Sequence, residues 1–299
     1  MKMMKNAIVA QSGGPTTAIN ASLAGVIKGC LESHEIDVLY GALNGVEGLM
    51  DERLVNLTDI FDHNEENLNV LKLTPAMYLG SCRRKLKDVD QDSSEYDIII
   101  NIFRKYHIHY FFYIGGNDSM DTVGKMSRYV KEHQMDVKVI GIPKTIDNDL
   151  VVTDHTPGFG SAARYVAASV LEMAHDTYIY NTKSVLIAEI MGRDAGWLTA
   201  ASALARKFEG DNPALIYLPE ADFELEQFAK DLRAALEKQN SVVVCVSEGI
   251  SDASGTFICE YGDEAMVDNF GHKMLTGCGK VLENFIRHRF GVKVRSVEL

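Results

Sequence analysis

The chain has 299 residues, 46% of them hydrophobic and 24% charged, a composition typical of a globular protein long enough for about two domains. Its 30 basic and 42 acidic residues give a net charge of −12, which disfavours nonspecific binding to nucleic acid or to anionic membranes. No apolar run approaches the ~18–20 residues of a membrane helix, and the amino terminus lacks a signal-peptide pattern. Five cysteines without a C-x-x-C pair argue against a disulfide framework and a structural zinc site, so a cytoplasmic location is expected.

Apolar runs and helix-like segments alternate along the chain. Strands are predicted at 7–10, 109–114, 137–142, 184–190, 214–218 and 242–246, and helices near 18–31, 119–131 and 195–206. Apolar, β-branched strands that alternate with helices indicate an α/β fold with mainly parallel sheets covered on both faces. Such folds bind ligands beyond the carboxyl ends of their strands. We expect two domains, residues 1–152 and 153–299.

Two glycine-rich turns follow predicted strands and precede predicted helices. The first contains Gly13 and Gly14, whose backbone can approach a phosphate at a helix N-terminus; a tight turn is the alternative. It matches neither G-x-G-x-x-G nor a Walker A sequence. The second turn adds Asn117 and Asp118, and an acidic group beside a phosphate is useful if Mg²⁺ bridges them. Alternatively, Asp118 or the following serine caps the helix.

The segment Lys144-Thr145-Ile146-Asp147-Asn148-Asp149 ends a predicted strand. Its two aspartates would share a face if the backbone stays extended, and paired carboxylates often divide the roles of orienting a substrate and accepting a proton. Lys144 would favour an ionised Asp147 and could neutralise a phosphate. A structural turn is the alternative.

Three further clusters carry charge at strand ends or in loops. Arg193 follows Met191 and Gly192 at a strand–helix junction and could bind a phosphate, or form a surface pair with Asp194. The consecutive cations Arg83-Arg84-Lys85 form either an anion site or a solvated face. Glu248 follows the strand at 242–246 and could accept hydrogen bonds from sugar hydroxyls.

Taken together and in this order, the clusters resemble the phosphofructokinase family, and more closely its pyrophosphate-dependent branch. The T-I-D-N-D segment at 145–149 and the M-G-R segment at 191–193 carry most of the resemblance, which covers nearly the whole chain. It implies two doubly wound, Rossmann-like domains, the first for the phosphoryl donor and the second for the sugar phosphate, with the active site in the cleft between them. It also implies Mg²⁺ as cofactor and a homo-oligomer, dimer or tetramer.

The resemblance implies the reaction and the role of each residue. Fructose 6-phosphate would be converted to fructose 1,6-bisphosphate, reversibly, with Asp147 accepting the proton of the sugar 1-hydroxyl. The positions that match sugar-phosphate contacts are Thr145, Asp149, Met191, Gly192, Arg193, Glu248 and Arg295, the last in many members across a subunit interface. Those that match donor contacts are Gly13, Gly14, Arg83 and Lys144. ATP-using members usually carry glycine at the positions of Asp118 and Lys144, so pyrophosphate is the expected donor.

Two departures leave alternatives open. Asn117 stands where relatives usually have a magnesium-binding aspartate, so Mg²⁺ would be held by Asn117 and Asp118, by water, or mainly by the donor. The chain ends at Leu299 where relatives continue, which predicts a truncated or shortened member. The alternatives are an ATP-dependent phosphofructokinase and a noncatalytic regulatory paralogue; a dinucleotide-dependent oxidoreductase lacks the glycine fingerprint.

Overall fold

The computed structural model describes residues 5–179, 181–261 and 277–299, and the chain divides into two units, Met1–Thr145 and Ile146–Leu299. The boundary expected after residue 152 lies a little further along, in the loop that follows the last strand of the first unit. Each unit contains one largely parallel sheet with helices on its faces, which confirms the predicted fold class. Across the described ranges, no helix combines the length and apolarity needed to cross a bilayer.

The first unit is built on a five-stranded sheet in the order β3-β2-β1-β4-β5. Its strands are β1 (Asn6–Gln11), β2 (Leu39–Ala42), β3 (Leu54–Asn56), β4 (Ile108–Gly115) and β5 (Lys138–Pro143). Its helices are α1 (Ile19–Glu32), α2 (Gly45–Met50), α3 (Leu57–Phe61), α4 (Glu65–Leu73), α5 (Ser94–Lys105) and α6 (Asn117–Glu132). Only β3 runs antiparallel to its neighbour.

The core of this unit lies on both faces of the central strand. All six residues of β1 are buried, and they alternate between two hydrophobic clusters, with Ile8 in one and Val9 in the other. The chain proceeds from β1 to one side of the sheet and later returns on the other side through β4. This reversal between β1 and β4 is the topological switch point at which open α/β sheets bind ligands.

The second unit has a four-stranded parallel sheet in the order β7-β8-β6-β9. Its strands are β6 (Ser184–Ile190), β7 (Leu215–Tyr217), β8 (Ser241–Ser247) and β9 (Lys293–Glu298). Its helices are α7 (Phe159–Tyr178), α8 (Trp197–Ala201), α9 (Leu225–Lys238) and α10 (Cys278–Phe290), with short 3₁₀ segments at Ser202–Ala205 and Ile258–Tyr261. The two central strands, β6 and β8, are almost wholly buried, which fits their largely apolar sequences.

Candidate active site

In the first unit, the turn after β1 meets the turn after β4 at the switch point. Gly13 has a φ of 82°, a conformation that favours glycine, and its N–H donates to the Cys82 carbonyl at 3.3 Å. Ser81 Oγ donates to the Gly13 carbonyl at 2.6 Å. The hydroxyls of Ser12 and Ser119, one from each turn, are buried and hydrogen-bonded to each other. The two glycine-rich turns and the loop 80–83 therefore form one cluster.

Helix α6 begins directly at the second turn. Gly116 occupies the N-cap position, so neither Asp118 nor Ser119 caps the helix, and both Asn117 and Asp118 lie in its first turn. A Cβ on Gly115 would stand 2.1 Å from Ser119 Oγ, so only glycine fits there. The unpaired N–H groups at the start of this 16-residue helix make the turn a ready anion site.

Lys144, which follows β5, brings a buried ammonium to the same place. The residue is 6% exposed, and its Nζ donates to the Gly14 carbonyl at 2.8 Å. Its backbone N–H donates to the Gly115 carbonyl at 2.8 Å. Through these two bonds, one residue joins the ends of three neighbouring strands. The cluster thus combines a helix N-terminus, glycine backbone and a cation, which suits a small polyanion.

The consecutive cations at 83–85 have different surroundings. Arg84 Nε donates to Glu95 Oε1 at 3.0 Å, so Arg84 is bound to α5. Lys85 Nζ lies 2.9 Å from Asp118 Oδ1 at the start of α6. Arg83 is exposed. The position of Lys85 beside Asp118 is a site feature that the sequence alone did not indicate.

In the second unit, the two aspartates predicted to share a face are separated by a sharp bend. Asn148 has a φ of 58°, so the backbone between Asp147 and Asp149 is not extended. Asn148 is buried, with its amide donating to the Asp154 carbonyl at 3.1 Å and its oxygen accepting from the Thr156 N–H at 2.9 Å. As a result, Asp147 is half-buried and Asp149 is exposed. The two carboxylates therefore have different environments, which suits different roles.

The turn after β6 is held by the turn after β8. Gly192 has a φ of 135° and donates its N–H to Glu248 Oε1 at 3.1 Å, and its carbonyl accepts from Ser247 Oγ. A Cβ on Gly249 would stand 1.7 Å from the Arg193 carbonyl oxygen. This close approach fixes the backbone of Met191–Arg193, while the side chains of Met191 and Arg193 are exposed. The structure thus brings Met191, Gly192, Arg193 and Glu248 together at the carboxyl edge of the second sheet.

A buried carboxylate lies directly behind this turn. Glu189, in β6, is 4% exposed and accepts the N–H groups of Gly277 and Gly279 at the start of α10, at 2.9 and 2.8 Å. Burial raises the pKa of Glu189, and the two backbone donors oppose that shift. Glutamate inside an otherwise apolar strand was the one sequence signal that could have marked this residue.

Arg295 does not join these residues within its own unit. It pairs with Leu186 in the register of β6 and β9, whereas the Met191–Arg193 turn follows Ile190, about 13 Å further along the strand. Its guanidinium donates to Asp176 Oδ2 on α7 at 2.8 Å, and both side chains are more than half exposed.

Comparisons with known proteins agree on one family. The model of the phosphofructokinase family matches residues 6–297. The pyrophosphate–fructose 6-phosphate 1-phosphotransferase of Halomonas elongata is 40% identical over 291 residues, 96% of this chain and 68% of that protein. The protein of the same name from Xanthomonas campestris pv. campestris is 43% identical over 97% of this chain and 68% of its own length. The crystal structure of the pyrophosphate-dependent phosphofructokinase of Marinobacter aquaeolei superposes with a TM-score of 0.80 at 36% identity, covering 99% of this chain and 68% of that one.

Proposed function

This chain belongs to the phosphofructokinase family, and we propose that it transfers a phosphoryl group from pyrophosphate to the 1-hydroxyl of fructose 6-phosphate. The products are fructose 1,6-bisphosphate and phosphate. One observation carries the choice of donor: the buried ammonium of Lys144 lies on the Gly14 carbonyl, in the turn that faces the start of α6 and its Asp118. A compact site of this charge suits pyrophosphate, and the carboxylate of Asp118 disfavours the α-phosphate of a nucleotide.

The donor is held by the cluster of the first unit. Backbone groups of Gly13 and Gly14 and the N-terminus of α6 bind phosphate oxygens, and the cations of Lys144 and Arg83 neutralise them. Phosphoryl transfer involves little covalent work by the protein, so positioning and charge neutralisation supply most of the rate enhancement. Because the leaving group is phosphate rather than a nucleotide, the transfer is close to reversible.

The residues at the start of α6 fit a magnesium ion that is shared with the donor. Within the described ranges there is no group of three His, Cys, Asp or Glu side chains that would form a cage made of protein alone. Mg²⁺ needs only one or two protein oxygens, because it keeps several waters and binds substrate phosphates. Asn117 and Asp118 offer an amide and a carboxylate oxygen in the first turn of the helix. When bound, the ion would neutralise charge on the donor.

The acceptor sugar is held by the second unit together with Thr145. The Asp147 carboxylate takes the proton of the 1-hydroxyl as that oxygen attacks phosphorus, and the bridging P–O bond of the donor breaks to release phosphate. Asp149, Glu248 and the backbone of Met191 and Gly192 hold the sugar, and Arg193 binds its phosphate.

The proposal includes a homo-oligomer in which Arg295 serves the site of another subunit. Its place towards the amino end of its own sheet, away from Arg193 and Glu248, supports this role. Sedimentation of the protein would test it, since a monomer that retains full activity would contradict the assignment.

A cytoplasmic location is supported by the five cysteines, all among the described residues, which form no disulfide.

Donor-specific steady-state rates test the proposed function. The wild-type protein is expected to phosphorylate fructose 6-phosphate with pyrophosphate and not with ATP. Asp147→Asn is expected to lower kcat by at least about 10²-fold, because a general base is removed. Asp154→Asn, a nearby exposed aspartate, serves as the matched control. Activity with ATP alone would contradict the donor assignment, and equal rates for wild type and Asp147→Asn would favour a noncatalytic regulatory subunit.

A further inference from the structure

Lys85 lies beside the cluster that we propose binds the donor. Its ammonium is 2.9 Å from Asp118 Oδ1, and the two side chains keep 45% and 46% of their surface exposed. Half-exposed groups at the mouth of an anion site can exchange partners when a ligand arrives. The pair is therefore placed to respond to the donor.

Hydrogen bonds of the two neighbouring residues hold the segment that carries Lys85 in place. On one side, Arg84 is bound to Glu95 of α5. On the other, the carbonyl of the buried Leu86 accepts a hydrogen bond from Lys125 Nζ at 2.9 Å. Lys125 belongs to α6, the helix that begins with Asn117 and Asp118. The segment that carries Lys85 is thus fastened to the same helix whose N-terminus Lys85 approaches.

A bare carboxylate at this place would oppose the proposed donor. Pyrophosphate carries several negative charges, and Asp118 lies in the first turn of the helix that binds it. Lys85 offsets the charge of Asp118 before the donor binds, and its half-exposed ammonium can turn from Asp118 to a phosphate oxygen when the donor arrives. The site can then keep Asp118, which excludes a nucleotide, without losing affinity for the smaller anion.

We propose that Lys85 is a pyrophosphate-binding residue, which neutralises Asp118 in the absence of substrate and contacts the donor when it is bound. The inference rests on the proposed function, and it adds a specificity-determining residue to that site. The sequence left open whether the cations at 83–85 form an anion site or a solvated face. In this proposal Arg84 has a structural role, through its bond to Glu95, and Lys85 binds the anion.

The test compares two lysines of the same segment. Lys85→Met removes the ammonium near Asp118, while the control Lys87→Met removes an exposed ammonium 3.1 Å from Asp92, on the surface. We expect Lys85→Met to raise the KM for pyrophosphate and its Kd from calorimetry at least tenfold, to leave the KM for fructose 6-phosphate within twofold, and to be partly rescued by Lys85→Arg. Lys87→Met is expected to match wild type.

Each contrary result has a distinct meaning. If wild type binds and uses pyrophosphate but Lys85→Met matches Lys87→Met, the inference is wrong and the proposed function stands. Equal rises in the KM of both substrates would show a structural role and would also overturn the inference. A wild-type protein that neither binds nor uses pyrophosphate would overturn the proposed function itself.

Discussion

Gly249 offers the sharpest test of how the second unit fixes the turn that contains Met191, Gly192 and Arg193. A Cβ at this position would stand 1.7 Å from the Arg193 carbonyl oxygen and 2.6 Å from the Arg193 carbonyl carbon. Heavy atoms do not approach a Cβ to less than about 3 Å, so Gly249→Ala must displace the backbone of Arg193 by more than about 1 Å. The obstacle is backbone, which cannot rotate away as a flexible side chain could.

The consequence for activity follows from the role that we propose for that backbone in binding the sugar phosphate. A displacement of about 1 Å in residues that position a substrate costs on the order of 10²-fold in rate. We therefore expect Gly249→Ala to lower kcat/KM for fructose 6-phosphate by about 10²-fold and the free energy of unfolding by about 1–3 kcal/mol. The KM for pyrophosphate should stay near that of wild type, because the residues proposed to bind it belong to the other unit.

Initial rates with each substrate varied in turn, and urea unfolding, measure these effects. Gly160→Ala is the matched control, since Gly160 lies in the same unit and a Cβ there meets nothing within 4 Å. The control is expected to retain full activity and to gain up to about 1 kcal/mol of helix stability. If Gly249→Ala keeps kcat/KM within threefold of this control, the turn accommodates a methyl group and the reasoning fails.

Three further predictions concern single side chains. Tyr113→Phe removes a buried hydroxyl that lies 3.8 Å from Cys82 Sγ and should cost about 1 kcal/mol in urea unfolding; an unchanged midpoint would contradict it. Val152, exposed with a φ of 57°, is a β-branched residue in a left-handed conformation, so Val152→Gly should stabilise the fold by up to about 1 kcal/mol, whereas Val152→Ala should not. Burial raises the pKa of Cys30 to about 11 and of Cys245 to about 12, so both thiols stay protonated at pH 8. Peptide mapping should find them unalkylated in the native protein and alkylated in urea; labelling of the native protein would refute their burial.

Strands β1 and β8 were predictable because they are buried on both faces. A strand covered by helices on each side needs an uninterrupted apolar sequence, and the runs at 7–10 and 242–246 lie within β1 and β8. The prediction missed β2, which has four residues, β3, which has three, and β9, whose sequence mixes charged and apolar residues. None of the three offers the long apolar run on which the sequence argument depends.

The clustering of site residues followed from the same topology. Carboxyl ends of parallel strands meet at one edge, so turns far apart in the chain, at Gly13 and Gly116, become neighbours. What the sequence could not provide was local detail, such as the left-handed Asn148 that separates Asp147 from Asp149. The place of Arg295 depends on the register of β9 against β6, which is set by pairing across 109 residues of chain, from Leu186 to Arg295, and not by its neighbours in sequence.

The division of the proposed binding residues between two units predicts which KM each substitution should change. The residues that we propose for the donor, Gly13 and Lys144, belong to the first unit, whereas those proposed for the sugar phosphate, Arg193 and Glu248, belong to the second. Each group is held by bonds within its own unit, such as Lys144 to Gly14 and Gly192 to Glu248. A change in one group should therefore alter the KM of one substrate and leave the other near wild type, while loss of Asp147 should lower kcat with either substrate varied. If substitutions in either group raised the KM values of both substrates equally, the proposed division of the binding residues between the two units would be wrong.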